Sequence, residues 1–243
     1  MEFHIRCDAK DIAPYVFVPG SHDRARSIAA HMDNVRQISQ SRGYLVYTGF
    51  FDGVRMTVSS TGMGGPTTAI AIEELGHVGA RTFMRVGSCG TYQEQVDCGD
   101  VVISTGIFRA GGTANHYLPI EFPAVPDFAV TRALVRAADA LGLKVHVGLG
   151  SAGDAFYAPR EQGQRELLQV AGVMSAEMES DTLFVIAALR GWRAGALFAV
   201  DGTAKQTKPE WCDAAFKQGE ENAIRIALAG MRDIAHADAT LRN

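Results

Sequence analysis

The octapeptide Phe83-Met84-Arg85-Val86-Gly87-Ser88-Cys89-Gly90 constrains this chain more than any other stretch, because it sets a guanidinium and a hydroxyl in an apolar run closed by glycine. The β-branched and aromatic residues over 82–86 predict a buried parallel strand, and Gly87 and Gly90 predict a sharp turn at its carboxyl end. Ligands of open α/β sheets bind at that end. A buried Arg85 needs an anion. A phosphate or carboxylate ligand would suit its planar fork, with Ser88 and loop N–H groups as further donors, and a structural carboxylate of the protein would also suit it.

Strand, turn and helix recur along the chain. Residues 15–18 read as a strand that ends in Pro19-Gly20-Ser21-His22-Asp23, and residues 24–32 read as a helix. Arg24 in the first turn of that helix opposes its dipole unless an anion is near, so it is either a second anion ligand or a solvated surface charge. Residues 44–51 and 54–60 alternate around Asp52-Gly53, which predicts a hairpin. Thr61-Gly62-Met63-Gly64-Gly65-Pro66 forms a second glycine-rich turn ahead of a helix over 67–75, with neither the GxGxxG nor the GK[ST] pattern. Further strands are predicted over 99–105, 145–149 and 194–200, a polar loop over 111–117, and helices over 129–140, 181–189 and 214–234. Phe156-Tyr157 suits stacking on a flat ring or plain core packing. In an extended segment Glu177 and Glu179 would face opposite ways, so only one would reach a site.

The alternation predicts an α/β fold in which polar turns at 20–24, 61–66, 85–90 and 201–203 share one pocket. A chain of 243 residues without a linker or repeat is read as a single domain, residues 1–243. Net charge of −4 with thinly spread Lys and Arg argues against a nucleic-acid partner. The N-terminus lacks a signal-peptide core and no apolar run is long enough to span a bilayer, so a cytoplasmic protein with a small-molecule partner is expected. Cys7, Cys89, Cys98 and Cys212 lack metal-ligand spacing and are expected to be reduced thiols. No metal or cofactor motif is present, so none is expected.

Taken together, His4, Pro19-Gly20-x-x-x-Arg24, Arg42-Gly43, Gly62-Met63-Gly64, Arg85-Val86-Gly87-Ser88-Cys89-Gly90, Phe122-Pro123-Ala124-Val125-x-Asp127-Phe128, Phe156-Tyr157 and Glu177-Met178-Glu179 make the chain resemble the trimeric or hexameric nucleoside phosphorylases. This group holds bacterial purine nucleoside phosphorylases and uridine phosphorylases. The resemblance implies a central mixed, partly barrel-like sheet flanked by helices, and phosphate-dependent release of a base from a nucleoside. It implies a phosphate site from Gly20, Arg24, Arg85, Ser88 and a neighbouring subunit's Arg42. It implies a ribose site from Met63, Met178, Glu179 and a neighbour's His4, and a base site around Phe156, Arg160, Gln162, Ala176, Glu177 and Asp201. Inorganic phosphate would be the co-substrate, and the assembly a homohexamer built as a trimer of dimers.

The chain departs from the pattern at two places. Ser21-His22 stand where the family usually has Asp-Pro, and Arg160-Glu161-Gln162 inverts the Gln-x-Arg order with which the uridine enzymes read uracil. Asp201, after an apolar strand, would suit an acid that protonates a leaving purine, so a purine nucleoside is expected, with uridine as the alternative. Asp201 as a turn residue before Gly202 is the plainer reading. Against the purine reading, residues 111–128 look like the uridine enzymes, and Ala214 stands where some purine enzymes have an Arg that assists the acid. A hydrolytic nucleosidase, a non-catalytic nucleoside-binding protein and a nicotinamide oxidoreductase are the competing functions.

Overall fold

In chain order the computed structural model comprises β1 (Tyr15–Phe17), α1 (His22–Ala29), β2 (Asp33–Ser41), β3 (Tyr44–Phe51), β4 (Val54–Ser59), α2 (Gly65–His77), β5 (Thr82–Gly90) and β6 (Val101–Ala110). A 3₁₀ turn (Thr113–His116), α3 (Phe128–Ala140), β7 (His146–Gly153), α4 (Gln164–Val170), β8 (Ser175–Glu177), α5 (Ser180–Arg190), β9 (Arg193–Gly202) and α6 (Cys212–Arg242) follow. The structure describes residues 1–158, 163–204, 206 and 208–242, with only the backbone of Arg242.

The nine strands of the described residues lie in one mixed sheet, in the order β2-β3-β4-β1-β5-β8-β7-β6-β9, and β9 pairs back onto β5. The last five strands therefore close on themselves as a barrel, while β2, β3, β4 and β1 extend from it as an open wing. The closure is long, running in parallel register from Thr82↔Arg193 to Gly90↔Gly202. Neighbours on β5 face opposite layers. Phe83 packs with Ile72, Leu75, Leu183 and Phe184 of α2 and α5, and Met84 packs with Ile28, Leu134, Ile224 and Met231 of α1, α3 and α6. Helices thus cover both faces, and the carboxyl ends of β1, β4, β5 and β9 open at one rim.

Local signals explain the element ends. Ser21 accepts a hydrogen bond from Arg24 N (3.2 Å) to cap α1, and Asp127 accepts one from Val130 N (3.0 Å) to cap α3. Asp52 and Gly53 both take positive φ (46° and 79°), the requirement of a tight hairpin turn, and β3 and β4 pair as expected.

Several expectations are corrected. β5 does not turn at Gly87 but runs to Gly90, because its pairing with β9 continues to the end of both strands. Asp201 and Gly202 lie inside β9, which removes the turn reading of Asp201. Cys98 and Cys212 are joined as a disulfide, since the turn after Asp97 brings their Cα atoms within 5.5 Å of each other; Cys7 and Cys89 are free and buried. Among the described residues no helix is long and apolar enough to cross a membrane, and no three His, Cys, Asp or Glu side chains are grouped as metal ligands.

Candidate active site

Four chain segments meet where β1, β4, β5 and β9 end. Thr61 N donates to Pro19 O (2.8 Å), which ties the two glycine turns together, and a Cβ built on Gly20 would stand 3.3 Å from Gly62 O and 4.0 Å from Arg85 Nη1. Gly64 N donates to Glu179 Oε1 (2.7 Å), joining the second turn to the start of α5. Arg85 lies beneath both turns, 4% exposed.

Arg85 is held by two carboxylates. Nε donates to Glu177 Oε2 (2.9 Å) and Nη2 to Glu179 Oε2, so the structural-carboxylate reading of this arginine is realised. Its third nitrogen, Nη1, is buried without a partner among the described residues and faces Gly20. A donor free of protein acceptors at a glycine turn is what an anion ligand requires. The expectation that only one of Glu177 and Glu179 reaches the site is overturned. β8 ends at Glu177, and Glu179 is the N-cap of α5 with φ −139° and ψ −24°, so the two-residue alternation of a strand does not extend to it. Burial raises the Glu177 carboxyl against the pull of Arg85, with the Glu179 charge raising it further. Burial would lower the guanidinium, but Glu179 and Glu177 hold it charged.

Arg24 sits in the first turn of α1, 8% exposed, with Nε donating to Glu220 Oε1 of α6 at 2.5 Å. Ser88 is half-buried on β5, and the Asp201 carboxyl is raised by burial and drawn back by Lys208, Arg24 and Ser88. Lys208 Nζ lies 3.3 Å from Asp201 Oδ2. Gly20, Arg24, Arg85, Ser88 and Asp201 are therefore neighbours, as are Glu177 and Glu179. Ala176 pairs with Gly90 across the β5–β8 seam, and Met178 is half-buried between the glutamates.

Other expected residues lie outside this cluster. Arg42 is exposed at the β2–β3 hairpin with its guanidinium 4.9 Å from the Phe3 ring centroid. His4 is held by Glu74, which takes Nδ1 at 2.5 Å, His4 N at 2.9 Å and Ile5 N at 2.8 Å. Met63 is 82% exposed, and Phe156 stacks edge-on against the exposed Tyr157 (4.9 Å). Arg160 and Gln162 fall outside the described residues. Sequence reasoning missed Glu74, Lys208 and Glu220. Glu220 carried a signal, because it stands four residues from both Phe216 and Ile224, on the apolar stripe of α6.

Asp181, next to this site, gives a stability test. Its Oδ1 accepts from Thr182 N (2.6 Å), its Oδ2 is buried without a partner, and burial raises the carboxyl from 3.8 to about 6, with Asp154 adding to the rise. A raised carboxyl makes the folded state bind more protons than the unfolded one between those values. Stability therefore falls as pH climbs through the window. Asp181→Asn should flatten the fall and stabilise the protein at neutral pH by about 2 kcal/mol. Thermal melts at pH 4.5 and 7.5 read this out, and an unchanged pH slope would refute it.

Comparison with known proteins places the chain. The sequence profile described as the phosphorylase superfamily matches residues 14–231. A uridine phosphorylase of Thermococcus kodakarensis is 39% identical, the match covering 98% of this chain and 88% of that one. A uridine phosphorylase of Escherichia coli is 38% identical over 95% of this chain and 96% of its own, and a guanosine phosphorylase of Halorubrum lacusprofundi 36% over 93% and 95%. The crystal structure of uridine phosphorylase from Vibrio fischeri superimposes with a TM-score of 0.90 at 30% identity, covering 95% of this chain and 96% of that one.

Proposed function

The chain belongs to the phosphorylase superfamily and is a nucleoside phosphorylase, and on that premise we propose that uridine is the nucleoside it cleaves. The observation that carries this reading is the near full-length similarity to proteins named uridine phosphorylases from two distant organisms. It favours uridine over the purine nucleoside expected from Asp201. Uridine and phosphate would give uracil and ribose 1-phosphate, and a 2′-deoxy substrate the deoxy sugar phosphate.

Attack of phosphate on C1′ develops positive charge on the ribosyl ring and negative charge on the leaving base. The protein must hold a dianion beside C1′ and fix the sugar. Arg85 Nη1, the Nη groups of Arg24, Ser88 and the Gly20 backbone would hold the dianion, a reading supported by the unpartnered Arg85 Nη1 beside Gly20. Glu179, buried at the head of α5, would accept the ribose hydroxyls, with Met178 and Met63 against the ring. Phe156 would stack on the base, with Ala176 and Glu177 at its edge and Arg160 and Gln162 as the polar contacts to uracil. We further propose a homohexamer, a trimer of dimers, in which His4 and Arg42 complete a neighbour's site. It would work in the cytoplasm without a cofactor.

A second reading, a purine nucleoside, is favoured by the raised carboxyl of Asp201 at the pocket rim and by the guanosine phosphorylase among the relatives. Initial rates with uridine, guanosine and inosine, each with and without phosphate, separate the two. Uridine should lead in kcat/KM by about tenfold or more, a difference of roughly 1.4 kcal/mol in transition-state binding. Asp201→Asn should change uridine turnover less than about threefold, since no acid at N7 is needed. A faster purine reaction that collapses in Asp201→Asn would reverse the assignment, and base release without phosphate would indicate hydrolysis.

A further inference from the structure

Glu220 belongs to no residue set inferred above, yet it makes the one side-chain hydrogen bond that the structure gives the Arg24 guanidinium among the described residues. The carboxylate takes Nε, and the Nη groups of this 8%-exposed arginine are left without an acceptor among the described residues. A guanidinium held by Nε is fixed in the plane of its fork, with Nη1 and the outer N–H of Nη2 directed away from the holder. The carboxylate also offsets the cost of placing a cation in the first turn of α1.

The helix that carries Glu220 is itself fixed at close range. A Cβ on Gly219 would stand 2.3 Å from Gly99 O, and one on Gly99 would stand 2.4 Å from Ala215 O, so α6 and the turn before β6 touch backbone to backbone. The Cys98–Cys212 disulfide joins the same two segments at the first residue of α6. Beyond Glu220, Ile224, Ala227 and Met231 bury α6 in the core, and Arg193 Nη1 bonds Asp238 Oδ1 (2.9 Å) near its end. A carboxylate on so constrained a helix has little freedom to follow Arg24 and instead determines where Arg24 lies.

We propose that Glu220 is the positioning residue of the phosphate site, orienting Arg24 from α6 so that its fork meets the dianion. The proposal rests on the reading of Arg24 as a phosphate ligand. In steady-state kinetics of the full-length protein, Glu220→Ala should raise the phosphate KM about tenfold, the effect of a lost charge-assisted hydrogen bond. The nucleoside KM should move less than about twofold, because Glu220 acts through Arg24 alone. Glu220→Gln keeps an acceptor for Nε and should stay within about threefold of wild type. Glu220→Leu, which suits the stripe between Phe216 and Ile224, gives the same reading should the alanine variant fold poorly. In an Arg24→Ala background, Glu220→Ala should have no further effect on phosphate KM. Equal rises in both KM values, or an undiminished Glu220→Ala effect without Arg24, would overturn the proposal and leave Glu220 a structural ion pair. If Arg24→Ala leaves phosphate KM unchanged, the phosphate role of Arg24 itself fails; if it raises phosphate KM while Glu220→Ala and Glu220→Leu do not, only the role of Glu220 fails.

Discussion

Arg85→Ala is expected to abolish phosphorolysis and to unfold the protein about 10 °C earlier. The two losses have one cause. Glu177 and Glu179, 9% and 4% exposed, share this single guanidinium, and its removal leaves two buried carboxylates facing each other. Breaking a buried ion pair by deleting one partner costs about 3–5 kcal/mol, which for a chain of this length lowers Tm by roughly 10 °C. Activity should fall by about a thousandfold or more, because the dianion loses Arg85 Nη1 and Glu179 loses its orientation. The pH dependence separates this account from a general packing defect. Burial already raises the Glu177 carboxyl, and without Arg85 the opposing pull disappears. A carboxyl raised in the folded state supports stability below its ordinary range and withdraws that support as pH rises through the folded value. The Tm deficit of Arg85→Ala should therefore be larger at pH 8 than at pH 5. Adding Glu177→Gln should recover part of the Tm and none of the activity. A variant with wild-type Tm and wild-type phosphate KM would show that Arg85 has neither role.

The same cluster shows how far the sequence could be read. The buried strand around Arg85, the Asp52-Gly53 hairpin and the glycine turns were legible because each rests on local chemistry, namely burial pattern and backbone φ. Pairings set over long separations were not. Glu179 reaches Arg85 only because β8 stops at Glu177 and the next residues bend into a helix cap, which strand alternation cannot anticipate. β2 went unread because Asp33–Ser41 is a polar edge strand, and α4 because it is short and buries no side chain. Cys98 and Cys212 lie 114 residues apart, and only the approach of α6 to Gly99 makes them partners. The base is the point on which the sequence and most of the named relatives differ. In the sequence Asp201 reads as an isolated acid, whereas the structure sets it beside Lys208 and under the influence of Arg24 and Ser88.

A mixture of Arg24→Ala and Arg42→Ala proteins, each with strongly reduced activity at low phosphate, is expected to recover about a quarter of wild-type activity after subunit exchange. Arg24 lies within the described site, beside Asp201 and Ser88 and bonded to Glu220. Arg42 lies on the β2–β3 hairpin at the edge of the wing, exposed and resting on Phe3. Three steps across the sheet separate β3 from β5, roughly 14 Å at ordinary strand spacing, so Arg42 is a poor fit to the Arg85 site of its own chain. His4 is nearby in the same sense, clamped by Glu74 on the N-terminal segment that includes Phe3. In the proposed hexamer these residues would serve a facing subunit. If every site combines Arg24 of one protomer with Arg42 of another, random mixing in equal amounts puts both wild-type residues together in about one site in four, whatever the size of the closed ring. Neither substitution removes core packing, so both proteins should exchange subunits when held at low concentration and then concentrated. Activity that stays at the level of the separate variants, with exchange verified by a size or mass label, would mean that Arg42 serves its own chain or none.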